Sequence, residues 1–259
     1  VISVREVRTK GDFKKFVRFQ YELYRDDPRW VPYLRSEVNY LFSPKNPFWA
    51  HASRALYLAL DGKRVVGRVA AVRDEELVNF RKFPEGVFGF YESVDDAEVA
   101  AALYGAAEDW LRRRGIKRVV GPMNPSTNEE CGFLAEGFDT PPYTMMTHTP
   151  RYYCALAEAC GYRKGTDLQA WLMEVTPATQ ARLQRTAAAA RRRNPALEVR
   201  AVNLKRFGAE VQLVRRIYNE AWENNWGFVP ATEAEFEDTA HRLKNLVVAE
   251  LVRIAFING

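Results

Sequence analysis

The chain spells out one order of elements twice. Residues 1–7 alternate as a strand, Asp12 is placed to cap a helix carrying Phe13, Phe16, Val17 and Leu23 on one face, prolines break it at 28 and 32, and two β-rich runs flank Asp61-Gly62. The last third repeats this with a strand at 197–202, an amphipathic helix at 207–226, a break at 226–230, and a strand closing in Asn258-Gly259. Spacing recurs as well: Val7 to Gly62 and Val202 to Gly259 differ by two positions, and the breakers Arg-Trp-Val-Pro (29–32) and Gly-Phe-Val-Pro (227–230) keep nearly equal distances to those glycines. Self-similarity of this kind restricts the chain to two related units. Because Asn-Gly after an alternating run signals a hairpin that needs a return strand, the second unit is expected to start near Leu197 and to be cut at its first hairpin. The copies differ between break and hairpin, where the second has its own helix opened by Thr232 and Glu235 in capping-box spacing.

The first copy continues with a strand at 86–92, a helix from about Asp95 to Arg114, a short β-forming run at 116–121, a long loop, a helix opened by Pro150, and a strand at 168–175. The 95–114 helix places Val99, Leu103, Ala106 and Trp110 on one stripe, and Gly115 ends it. With 47% hydrophobic and 27% charged residues the chain is globular, and no apolar run reaches the ~18–20 residues that span a bilayer.

Strand, helix, hairpin, strand, helix, strand, helix, strand resembles the GNAT superfamily of CoA-dependent N-acyltransferases. The words YRDDPRWVPYLRSEV, FGFYESVDD, GPMNPSTNEECG, GFDTPPYTMM and ENNWGFVP more narrowly resemble its bacterial ceramide synthase-like branch, across essentially the whole chain. The resemblance implies an α/β (α+β) fold: a mixed, mostly antiparallel sheet flanked by helices, followed by the truncated start of a second GNAT-like copy. The expected division is a GNAT-like domain at 1–176, a basic helical linker at 177–196 and the partial second domain at 197–259. It also implies transfer of an acyl group from acetyl-CoA or a longer acyl-CoA to an amine, sphingoid or otherwise lipid-like. A catalytically inactive binding or scaffold domain is the alternative.

That chemistry needs an anion site for the CoA pyrophosphate, usually a Gly-rich turn at a helix N-terminus, together with a base and an acid. Here the corresponding turn is YESVDDAEV, which has no glycine and carries Asp95 and Asp96. A carboxylate about 6 Å from a phosphate charge opposes it by roughly 1 kcal/mol in a partly screened setting. The first copy is therefore expected to have a degenerate CoA site, with the cofactor-binding signature falling beyond Gly259. In related acyltransferases a tyrosine acid lies four residues before the Gly-aromatic pair; that position is Ala157, so Tyr153 and Tyr152 become the candidate acids, with simple packing as the other reading of both. Glu92, at the end of its strand, is the candidate base, against a plain solvated carboxylate.

Residues 121–150 form a long, proline-rich insert, read either as an ordered lid or substrate wall or as a plug completing the core. Asn124, Asn128, Glu129 and Glu130 are candidates to hold an amine or polar head group. Phe138, Met145 and Met146 are candidates to line an apolar tail site. Residues 177–195 read as a basic helix whose Arg182, Arg185, Arg191, Arg192 and Arg193 face solvent or meet anionic lipid or CoA phosphates. Net charge is +5 without a recognised nucleic-acid motif, so no nucleic-acid partner is expected. Cys131, Cys154 and Cys160 form no Cys-x-x-Cys pair and the three histidines are scattered, which points to a reducing cytoplasm, peripheral to the membrane at most, and to no metal site.

Overall fold

A computed structural model describes residues 1–258, which fall into two compact units. Unit 1 comprises Val1–Thr166 with Glu223–Pro230, and unit 2 comprises Asp167–Trp222 with Ala231–Gly259. Gly259, the expected turn glycine, lies outside the described residues.

Unit 1 is built on a five-stranded sheet in the order β1 (Ile2–Glu6), β2 (Ala52–Asp61), β3 (Arg64–Asp74), β4 (Glu85–Ser93) and β5 (Arg118–Val120). The first four strands pair antiparallel and β4–β5 pairs parallel, giving the mixed, mostly antiparallel sheet expected. Gly62 turns the β2–β3 hairpin at φ +58°, where a side chain would be strained.

Strand alternation divides the core between the two faces of the sheet. On one face Ala55, Ala59, Val69, Phe88 and Tyr91 pack with α4 (Ala97–Arg112) and α5 (Tyr153–Ala159). On the other Leu56, Leu58, Ala70, Val72 and Phe90 pack with Phe16 and Val17 of α1 (Lys10–Leu23) and Val38 of α2 (Arg35–Leu41). A further helix, α3 (Glu75–Arg81), capped by Asp74, lies between β3 and β4.

Unit 2 contains α6 (Pro177–Arg193), β6 (Leu197–Ala201), α7 (Phe207–Trp222), α8 (Glu233–Leu243) and β7 (Arg253–Ile257), with β6 and β7 paired antiparallel. Thr232 and Glu235 form the expected capping box, each side chain bonding the other's backbone N–H.

Three sequence expectations need correction. Thr9, not Asp12, caps α1: its hydroxyl accepts the Asp12 amide at 3.0 Å, leaving the Asp12 carboxylate to pair with Arg5 at 2.6 Å. Helix α7 stops at Trp222, and residues 223–230 pass to unit 1. The strand expected at 168–175 is absent: the stretch carries no strand ladder, because strand formation depends on a distant partner that local propensity does not reveal.

Candidate functional site

The site begins at an irregularity in β4. Its ladder with β3 slips between Arg68 and Ala70, which pair with Glu92 and Gly89, so Phe90 and Tyr91 are bulged. Phe90 takes φ +49°, and its amide, turned out of the ladder, donates to Asn124 Oδ1 at 2.6 Å. On the other edge β5 pairs through only three residues before the insert takes over. Met123 donates its amide to Phe88 O at 3.0 Å, and a Cβ on Gly89 would fall 1.7 Å from the Met123 carbonyl oxygen. Glycine is required there by the backbone lying against it. The first part of the insert thus fills the edge of β4.

The bulge sets Glu92 among buried polar groups. Tyr24 and Tyr153 both donate to Glu92 Oε2 at 2.7 Å, while Arg68 stands 3.7 Å from Oε1. Arg68 is itself buried and donates to Phe16 O at 2.9 Å and to the Gln20 side chain, both from α1. The Tyr153 hydroxyl oxygen also accepts the Ser93 amide at 2.9 Å, and Tyr152 donates to Ser93 O at 2.8 Å. Burial pushes the Glu92 carboxyl above its ordinary range, opposed by Arg68 and the two tyrosines; burial likewise lowers Arg68 and raises both Tyr24 and Tyr153. Tyr152, half-buried, is raised to about 12, first by burial and then by Asp95.

A second carboxyl adjoins the first. Glu130 accepts the Tyr33 hydroxyl, and its pKa is raised by burial, with Glu92 adding repulsion. His148 Nε2 lies 2.8 Å from Asp27 Oδ2, and its ring packs edge-on against Tyr24. One guanidinium therefore serves a neighbourhood with two carboxyls, and burial with mutual repulsion favours a proton on at least one of them. Such a group can hold or release a proton, with tyrosine hydroxyls as neighbouring donors.

Of the residues singled out in the sequence, Glu92, Tyr153, Tyr152 and Glu130 are gathered here, and Asn124 braces the bulge beneath them. Asn128 instead donates to Val229 O at 3.3 Å, and Thr127 to Gly227 O at 2.9 Å, so this stretch of the insert holds the 223–230 segment. Glu129 sits beside them, half-buried, its amide bonded to Ser126 O at 3.2 Å. The apolar candidates lie on the outer turns: Phe138 carries the Arg151 guanidinium 4.2 Å over its ring, Met145 is 63% exposed, and the Met146 amide closes a turn on Tyr143 O at 3.0 Å.

Arg68, Gln20, Tyr24, Tyr33, Asp27 and His148 escaped the sequence reading. For Arg68 a signal existed, a lone arginine inside the apolar run VVGRVAAV. Its partners come from a helix about fifty positions away and left none.

The N-terminus of α4, where a CoA pyrophosphate is bound in the GNAT pattern, is closed by its own cap. Asp96 Oδ1 accepts the amides of Glu98 at 2.8 Å and Val99 at 3.3 Å. Two N–H groups available to an anion are thereby used, and a carboxylate occupies their position. These residues do not fit a phosphate. Among the described residues no His, Cys, Asp and Glu side chains cluster as a metal site, and no helix is long and apolar enough to cross a membrane.

A bulged strand inside a mixed, mostly antiparallel sheet, with helices on both faces, is the frame that holds the site. No family model matches the chain. It is 40% identical over 257 residues to Protein YghO of Escherichia coli (strain K12), covering 99% of this chain and 65% of that protein. It is 39% identical over 261 residues to the Bacterial ceramide synthase of Caulobacter vibrioides (strain NA1000 / CB15N), covering 100% of this chain and 67% of that protein. The chain belongs to the family of the bacterial ceramide synthase, and it spans about two thirds of the length of these curated relatives. Among solved structures, an aminoglycoside acetyltransferase from an uncultured soil metagenomic sample, in complex with sisomicin, aligns with a TM-score of 0.39 at 11% identity, over 68% of this chain and 95% of that one.

Proposed function

We propose that the chain is part of an acyl-CoA-dependent N-acyltransferase of GNAT type, and that unit 1 is its acceptor side. The acceptor is an amine, of the long-chain or sphingoid kind that the relative's name suggests. The observation that carries this reading is the Glu92 cluster, a partly accessible carboxyl with two tyrosine hydroxyls on one oxygen and a second carboxyl, Glu130, nearby. Glu92 accepts a proton from the ammonium, freeing the nitrogen lone pair to attack the thioester carbonyl, whose C–S bond breaks as CoA leaves as its thiolate, while Tyr24 and Tyr153 stabilise the carboxylate that precedes the proton transfer. The acyl-CoA is held outside unit 1, where Asp96 and the insert leave no fitting place for it. The three free cysteines suit a reducing cytoplasm.

The order β6, α7, α8, β7 parallels β1, α1, α2, β2, each ending in an antiparallel pairing of its first and last strand. This supports a duplicated architecture, with a GNAT-like domain at 1–176, a linker at 177–196 and the start of a second copy at 197–259. The capped α4 terminus also favours a second reading, a binding or scaffold role without catalysis.

The two readings separate in the intact protein, by following CoA release from a long-chain acyl-CoA with sphinganine as acceptor. Glu92→Gln is expected to lower kcat on the order of a hundredfold or more, the scale of a general base. Full activity in that variant contradicts the base assignment, and no turnover in the unsubstituted protein favours the scaffold.

A further inference from the structure

Residues 168–193 of unit 2 form a continuous exposed element with two chemistries side by side. Leu168, Trp171, Leu172, Met173 and Val175 stand in an extended stretch with no ladder partner, Trp171 at 85% and Leu172 at 77% exposure. Thr176 then caps α6, which has no buried residue, five arginines and no acidic side chain. At about 3.6 residues per turn, Arg182, Arg185, Arg192 and Arg193 fall on one side of α6. Among the described residues none of the five guanidinium groups has a carboxylate partner.

Exposed tryptophan and aliphatic side chains clustered beside a one-signed basic helix call for a surface that is apolar in depth and anionic on top. A nucleic acid meets the arginines and leaves Leu172, Met173 and Val175 in water. We propose that residues 168–193 are a membrane-docking element that binds an anionic lipid surface, with Trp171, Leu172 and Met173 entering at headgroup depth and the arginines of α6 resting on lipid phosphates. Headgroup depth matters because water there still satisfies the unpaired N–H and C=O groups of the extended stretch, which the hydrocarbon core does not. Tryptophan is the residue most at home in that layer. The proposal stands apart from the acyltransferase reading, since it uses no residue of the Glu92 cluster.

The test is flotation of the intact protein with vesicles of phosphatidylcholine alone and of an equal mixture of phosphatidylcholine and phosphatidylglycerol, across a salt series. Binding to the mixture only, weakening with salt, is expected. Replacing Arg182, Arg185 and Arg192 together by glutamine should lower the partition on the order of a hundredfold, as ~1 kcal/mol per basic residue implies. The W171S/L172S double variant should lower it on the order of tenfold and act most on the part that resists salt. All five positions are exposed, so the fold survives, as far-UV circular dichroism will verify. Absence of flotation with the mixture at low salt overturns the proposal, as does flotation unchanged in either variant. Self-association in light scattering that W171S/L172S abolishes, without vesicle binding by either form, also overturns it and assigns the apolar stretch to a second copy.

Discussion

Strand, two helices and strand occur once in each unit, and what surrounds them differs. In unit 1, α1 buries Phe16, Val17, Phe19 and Gln20, and β2 is paired on both edges, by β1 and β3. In unit 2, α7 buries only Glu210 and Val211, α8 buries none of its residues, and β6–β7 stands as a two-stranded sheet. Similar caps and similar periodicity therefore specify similar elements, but cohesion comes from the strands added next to them. A two-stranded pair is marginal alone, whereas three or more strands with helices on both faces make a core.

The arginines of the two units test that difference most strongly. Arg68 is 2% exposed and opposes Glu92, whereas Arg200 is 44% exposed and bonds Glu210 at 2.9 Å. Arg68→Ala should cost about 3–5 kcal/mol, because it strands a buried carboxyl. Arg200→Ala should cost less, about 1–2 kcal/mol: it too takes a partner from a buried carboxylate, Glu210, but the guanidinium removed is half-exposed and screened by water. Urea denaturation of both variants decides it, and equal losses would break the contrast.

Hydrogen exchange should order the units the same way. Amides of β3 and β4 are expected to exchange only through global opening, and those of β6, β7 and α8 through cheaper local opening. Uniform protection across both would mean that unit 2 is as cohesive as unit 1.

A smaller effect concerns pH. Folded Glu92 and Glu130 have raised pKa values, so the native state binds more protons than the unfolded chain between the ordinary carboxylate range and those raised values. Their contribution is complete below the unfolded pKa of about 4.5 and is lost as pH rises through the folded values. The urea midpoint should therefore fall over that window, and Glu92→Gln should flatten the fall. A midpoint that climbs through the same window contradicts the burial assigned to these carboxyls.

The helix caps should show the least difference, because capping is local. Asp96→Ala in unit 1 and Thr232→Ala in unit 2 should each cost about 1 kcal/mol by thermal or urea unfolding. A large inequality would mean that one cap also serves its surroundings.

These contrasts also mark what the sequence made legible. Elements written by short-range rules were readable: the Asp61-Gly62 hairpin, the stripe on α4 at Val99, Leu103 and Trp110, where Ala107 rather than the expected Ala106 is buried, and the Thr232–Glu235 box. Features that depend on distant partners were not. Residues 168–175 have strand propensity without a strand, Phe90 adopts positive φ because Asn124 takes its amide, and Arg68 is buried because α1 supplies Phe16 O and Gln20. Of the candidate site, Glu92, Tyr152, Tyr153 and Glu130 were singled out in the sequence. Tyr24, Asp27, Tyr33 and His148 were not, because they lie on loops and helix ends whose meeting with β4 is a property of the fold.

The central claim is that unit 1 receives an amine and has no place for CoA. A hydrogen-exchange footprint of the chain, taken once with CoA and once with a long-chain primary amine such as dodecylamine, tests it most directly. The account predicts that the amine slows exchange at 24–33, 89–93 and 148–153, and that CoA leaves 95–103 and 121–124 unchanged. Protection of the α4 N-terminus by CoA, with none from the amine around Glu92, would contradict it.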